Sequence, residues 1–169
     1  MDRKAIEGLW DQIRQKYGIY LRVLEAIPAE RYQTHPVPDM RTPAELAVHT
    51  SGSVFRDLAV GVAQGEVKAD ESAEAGLAAG MTKEQVLEYA RACWEEADAA
   101  VAGIGDAELS AIVPTPWDTS FPGWVGFFIL NDELLHHRGQ LYAYCRACGV
   151  APPSMWGFAD NEPGFRPAR

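Results

Sequence analysis

Three side chains in this sequence have the types and spacing to hold a metal: His49, Glu133 and His137. Glu133 and His137 are four apart in the segment ELLHHRGQLYAYCRACGVAPP, so on a helix they stack one turn above the other on one face. They interrupt a stripe of Gly126, Leu130, Leu141, Tyr144 and Cys148 whose gaps are otherwise helical. A carboxylate on an inward face is costly unless it is paired or bound to a metal. His49 follows Glu45, Leu46, Ala47 and Val48 and would approach from another helix. Two imidazoles and a carboxylate suit zinc, nickel, iron or manganese, with positions left open for water or substrate. The same residues also have a plainer explanation. A Glu and a His four apart support solvated helix faces, and buried histidines usually hydrogen-bond to neighbours. Two metal designs are excluded by counting. A ferritin-like di-iron site needs two Glu-x-x-His pairs and two further glutamates, and only Glu133 with His136 forms such a pair. His-Glu-x-x-His, the zincin motif, is absent.

The elements that must position these groups are helical. Ile6, Trp10, Ile13, Tyr17, Leu21 and Leu24 form an amphipathic stripe that Pro28 stops. An extended linker, 31–41, follows. Thr42-Pro43 opens a second helix running towards Gly65, with threonine as cap and proline in the first turn. The acidic run EVKADESAEAGLAAG lacks clear periodicity and reads as a mobile loop with at most a short helical turn. Thr82 and Gln85 make a capping box for a third helix carrying Val86, Ala90, Cys93, Ala97 and Val101, ended by Gly103 and Gly105. A long connection, 106–121, leads to a fourth helix from near Pro122 to Cys148, with Gly149 beyond it. No strand alternation is expected anywhere. The pattern predicts an all-α four-helix bundle, one domain over 1–169, with an irregular Pro/Gly/aromatic tail over 150–169 packed across it.

Composition narrows the partners. The 169 residues, 47% of them apolar, suffice for a core, and the formal charge of -9 disfavours nucleic acid and anionic membranes. No apolar run is long enough to span a membrane. The start MDRKAIEGLW has no apolar h-region, and the cysteines number only three, so a cytoplasmic protein with reduced thiols is expected.

The segment beginning at Glu133 resembles the signature of the DinB/YfiT-like family, a helix with a His-His-Arg-Gly-Gln run followed by an aliphatic-Tyr stretch, Gly and Pro-Pro. MRTPAELAVHT resembles that family's second-helix motif, which ends in its first metal-binding histidine. Order and separation also match, from Met40 to Pro153. The resemblance implies an up-down-down-up bundle, usually a homodimer, holding a divalent metal through three side chains. His49 and His137 fall on the first and third ligand positions. The second position, usually His, is Glu133 here, as in the thiol-dependent maleylpyruvate isomerase branch.

Together these readings lead to an expected enzyme using a divalent metal, zinc foremost, and a low-molecular-weight thiol for S-transfer to, or isomerisation of, a small electrophile. Metal-dependent hydrolysis is a variant. A non-catalytic, metal-stabilised dimer in a stress response is the contrasting reading. A metal-free bundle, with Glu133, His137 and His49 bonded to one another, is the third. Among secondary candidates, His136 lies with Asp132 on a neighbouring face, as an outer-shell or interface residue or half of an ion pair. Arg138 and Gln140 read as surface or inter-helix hydrogen-bonding groups. Cys145 and Cys148 read as ordinary helix residues, Cys93 as core and His35 as exposed. Trp117, Trp124 and Trp156 are expected either beside the metal or in packing.

Overall fold

A computed structural model describes residues 1–167. Helix α1, Arg3–Ala26, is capped by the Asp2 carboxylate, which accepts from the Ala5 N–H at 2.9 Å. Its sequence stripe is buried as expected, and Tyr20 and Val23 are buried as well. Tyr20 faces the second helical segment, its hydroxyl on the Ala47 carbonyl and beside Ser51 Oγ, and the Val23 carbonyl meets the Cys145 thiol.

The second rod comprises α2, Pro43–His49, a π-helical stretch, Thr50–Arg56, and α3, Asp57–Gln64. Thr42 and Glu45 form a reciprocal capping box at its start, and Gly65 ends it in the left-handed conformation, φ 84°. The π turns are the departure from a plain helix. Such i→i+5 turns are rare and concentrate at functional sites. Here they begin directly after His49.

The run 66–81 is more ordered than its composition suggests. A 3-10 turn, Glu71–Ala73, leads into α4, Glu74–Ala78, whose buried residues are Glu74 and Ala78. Helix α5, Lys83–Ala102, has the expected Thr82/Gln85 box and inward stripe, joined by Trp94 stacked on Trp10 with centroids 5.1 Å apart. After the short α6, Asp106–Ser110, the connection contains a feature absent from the sequence expectation. Ile112–Pro114 (β1) and Ser120–Pro122 (β2) pair antiparallel, with Val113 opposite Phe121, both buried. Three-residue strands ending in proline are too short to give a readable alternation. The hairpin is tied to the 66–81 segment by the Val67 N–H, which donates to the Pro114 carbonyl at 3.0 Å.

Helix α7, Gly123–Ala147, completes the helical bundle with α1, the α2–α3 rod and α5. The tail lies on α1: Asn161 donates to the Gln15 carbonyl at 2.9 Å, and Phe165 packs on Tyr17 and Trp94. Among the described residues no helix is long and apolar enough to cross a membrane.

Candidate metal site

The structure brings His49 and His137 together from α2 and α7. Their ring centroids are 5.0 Å apart at an interplanar angle of 82°, and both residues are buried. Each ring is held through Nδ1. His49 Nδ1 lies 3.0 and 2.9 Å from the two carboxylate oxygens of Glu74. His137 Nδ1 lies 2.9 Å from Gln140 Oε1, one turn on. A carboxylate only accepts, so the proton at His49 sits on Nδ1. The Gln140 amide nitrogen faces His136 Nε2 at 3.3 Å, which leaves its oxygen for an Nδ1–H on His137. Both rings therefore leave Nε2 as the unprotonated nitrogen in the neutral state.

His137 Nε2 is buried and has no hydrogen-bond partner. Glu133 Oε2 is 3.2 Å from it but outside hydrogen-bond geometry, and the two would form an ion pair only with His137 protonated. With the ring proton on Nδ1, facing Gln140 Oε1, the Nε2 lone pair is unused. Burial holds the His137 pKa below the ordinary histidine value, with His49 and His136 adding to the effect against Gln140 and Glu133. The neutral, ligating form is thereby favoured.

Glu133 departs from the sequence expectation. Its side chain is 44% exposed, so it stands at the rim of the site and not in the core stripe, where Leu134 is buried instead. The desolvation argument for a buried carboxylate does not apply to it. Among the described residues no three His, Cys, Asp or Glu side chains stand assembled as a metal cluster. The donor set nonetheless fits a divalent cation: two imidazoles that present Nε2, that of His137 an orphaned buried atom, beside a carboxylate with solvent room to turn.

Beside these residues lies a cavity of about 290 Å³, lined by Arg41, His49, Val54, Leu58, Ile129 and Glu133, with Glu71 and Trp117 at its wall. The π stretch contributes Val54 and α3 contributes Leu58. The Trp117 indole N–H donates to Glu71 Oε1 at 2.8 Å, linking the hairpin loop to the 66–81 segment.

The model of the DinB superfamily matches residues 12–141, more than half of the chain. The chain belongs to the DinB superfamily. The solved structure of the DinB-like protein YjoA of Bacillus subtilis is similar, with a TM-score of 0.67 and 19% identity over 85% of this chain and 96% of that one. At that identity the likeness concerns the fold alone. No curated protein matches the chain.

Within this DinB-superfamily bundle, the remaining candidates divide plainly. His136 is exposed and contacts Gln140, not Asp132. Trp117 lines the cavity. Trp124 packs against Phe128, and Trp156 is exposed beside Phe158. Cys93 and Cys145 are buried, and all three thiols are free. His35 is exposed, with Nδ1 on the Met40 carbonyl. Sequence reasoning missed Glu74 and Arg41. Glu74 sits in an acidic, aperiodic run whose burial has no local signal. Arg41 stands just before the Thr42 cap and gains meaning only from the cavity.

Proposed function

We propose that His49, Glu133 and His137 hold one divalent cation at the wall of the cavity, and that the protein is an enzyme acting on a small electrophile, by S-transfer or isomerisation with a low-molecular-weight thiol. The observation that carries the reading is His137 Nε2: a buried imidazole nitrogen without a hydrogen-bond partner, beside a carboxylate and a second histidine. Zinc suits the two-imidazole, one-carboxylate set best; nickel, iron and manganese are compatible. When bound, the cation supplies Lewis acidity that lowers the pKa of a thiol or water on its open side.

The chain's own residues do the rest. Gln140 fixes the His137 ring. Val54, Leu58 and Ile129 give the cavity an apolar wall against which the carbon skeleton of a small electrophile can pack. The Arg41 guanidinium at the same wall offers two parallel donors to a carboxylate on the thiol or the electrophile. Small-molecule sites run to roughly 300–1,000 Å³. A cavity of about 290 Å³ therefore favours a small substrate.

The deciding experiment is metal content and affinity of the purified protein, beside His137→Ala and Glu133→Ala. About one equivalent of metal in wild type, lost in His137→Ala and weakened in Glu133→Ala, supports the site and justifies screening thiols with electrophiles. Turnover of an ester or amide without thiol would redirect the reading to metal-dependent hydrolysis. Tight metal binding with all four coordination positions filled would redirect it to a structural metal in a non-catalytic homodimer. A wild-type protein that binds no metal at micromolar concentrations removes the reading.

A further inference from the structure

We infer that Glu74 is the positioning residue of the candidate site: its carboxylate clamps His49 through Nδ1 so that Nε2 is the nitrogen presented for ligation. The inference rests on the metal reading above and concerns a residue outside its three ligands.

The geometry is two-pronged. Glu74 Oε1 and Oε2 lie 3.0 and 2.9 Å from the same Nδ1, a fork that fixes the ring's rotation as well as its tautomer. The two side chains are only 9% and 10% exposed. A carboxylate so buried is costly without a partner, and among the described residues its hydrogen bonds go to His49 alone.

The surrounding sequence makes the burial harder to explain by stability. Helix α4 has five residues, and the two it buries are Glu74 and Ala78. A leucine at 74 would anchor so short an element against α2 without the desolvation loss, since buried polar pairs seldom outperform apolar packing. What the glutamate adds is orientation of the imidazole. A carboxylate behind a metal-bound histidine does this, raising the ligand's basicity and setting its tautomer.

The second ring repeats the device. His137 Nδ1 is held by Gln140 Oε1 at 2.9 Å, and its Nε2 is the orphaned atom. Two histidines from different helices are thus held by Nδ1 from outside. The clamp on His49 is anionic, and the clamp on His137 is neutral. The anionic clamp comes from a segment that also bears Glu71, the acceptor for Trp117 at the cavity wall. Glu74 therefore links the fold of that wall to the pose of the first ligand.

The test uses two readouts on the full chain. Long-range proton–nitrogen NMR of nitrogen-labelled, metal-free protein reads the His49 tautomer. Competition with a chromophoric chelator reads zinc affinity. Wild type is expected to carry the His49 proton on Nδ1. Glu74→Ala should lose that preference and bind zinc about 10–100-fold more weakly. Glu74→Gln retains an acceptor oxygen, so it should keep the tautomer and lose less affinity. If Glu74→Ala does not fold by circular dichroism, Glu74→Gln carries the test, and wild-type affinity in it overturns the inference. An unchanged tautomer or unchanged zinc affinity in folded Glu74→Ala also overturns it. His49→Ala separates the two proposals. If wild type binds zinc, His49→Ala does not, and Glu74→Ala matches wild type, only the role of Glu74 falls. If wild type binds no zinc, the site and the role of Glu74 towards it fall together.

Discussion

Trp117 and Glu71 are 46 positions apart, yet the indole N–H of one donates to the carboxylate of the other at 2.8 Å across the wall of the cavity. Both residues are substantially exposed, so the bond is solvated and contributes about 1 kcal/mol or less to global stability. Its effect is local. The hairpin loop and the 66–81 segment are otherwise joined by the Val67–Pro114 backbone bond. Trp117→Phe should therefore leave the urea midpoint almost unmoved while raising the rate of proteolytic cleavage within 115–119. Equal cleavage rates for wild type and variant would show that the indole bond does not hold the loop.

Metal should stabilise the fold in proportion to its occupancy. A ligand at a hundredfold its Kd stabilises by about 2.7 kcal/mol. Zinc at that excess should raise the wild-type Tm by several degrees, chelator should reverse the rise, and His137→Ala should show none. Glu133→Gln should show a smaller rise, because the rim carboxylate is one donor among three. A zinc-dependent rise in His137→Ala equal to that of wild type would place the bound ion elsewhere.

Gly18 and Gly139 are both mid-helix glycines and should respond in opposite directions to alanine. A Cβ on Gly18 would lie 2.5 Å from Phe165 Cβ and 2.6 Å from the Asn161 amide, so the tail must lift off α1. Overpacking of this kind costs about 1–3 kcal/mol. Nothing lies within 4 Å of a Cβ on Gly139. There alanine should stabilise by about 0.5–1 kcal/mol through helix propensity alone. Urea unfolding of the two variants beside wild type checks both signs.

The parts of this molecule legible in the sequence are those encoded locally. Proline stops, Thr42 and Thr82 caps and three-to-four residue stripes depend on neighbours within a turn, and the long helices fall where these signals put them. The three-residue strands and the π turns carry no such signal. His49 and His137 stand out as polar residues among apolar ones, and the structure brings them together. Glu133 stands out for the same reason but lies at the rim, because a stripe spaced by three and four tolerates one member turned outward. Glu74 was hidden for the converse reason. Its burial is decided by where α4 lands on α2, a tertiary fact that a polar stretch of small residues does not announce.

Alkaline pH should weaken the fold through Cys93. The thiol is 1% exposed, and burial pushes its pKa from the ordinary thiol value of 9.0 up to about 11, against a lowering pull from Arg56, whose guanidinium lies 3.7 Å from Sγ. Below pH 9 the thiol is protonated in both folded and unfolded chains, and stability is unaffected. Between about 9 and 11 the unfolded chain releases this proton and the folded chain retains it. The unfolded state then binds fewer protons, so stability falls as pH rises, by up to about 1.4 kcal/mol per pH unit for this group. Buried Tyr32 and Tyr89, whose pKa values burial also raises, act in the same direction towards the upper end of this range. The contribution of Cys93 must accordingly be read as a difference. Unfolding free energies at pH 8 and pH 10.5 should fall more for wild type than for Cys93→Ala, with the gap opening only above pH 9. Parallel losses in the two proteins would mean that the Cys93 thiol ionises as readily in the folded chain as in the unfolded one.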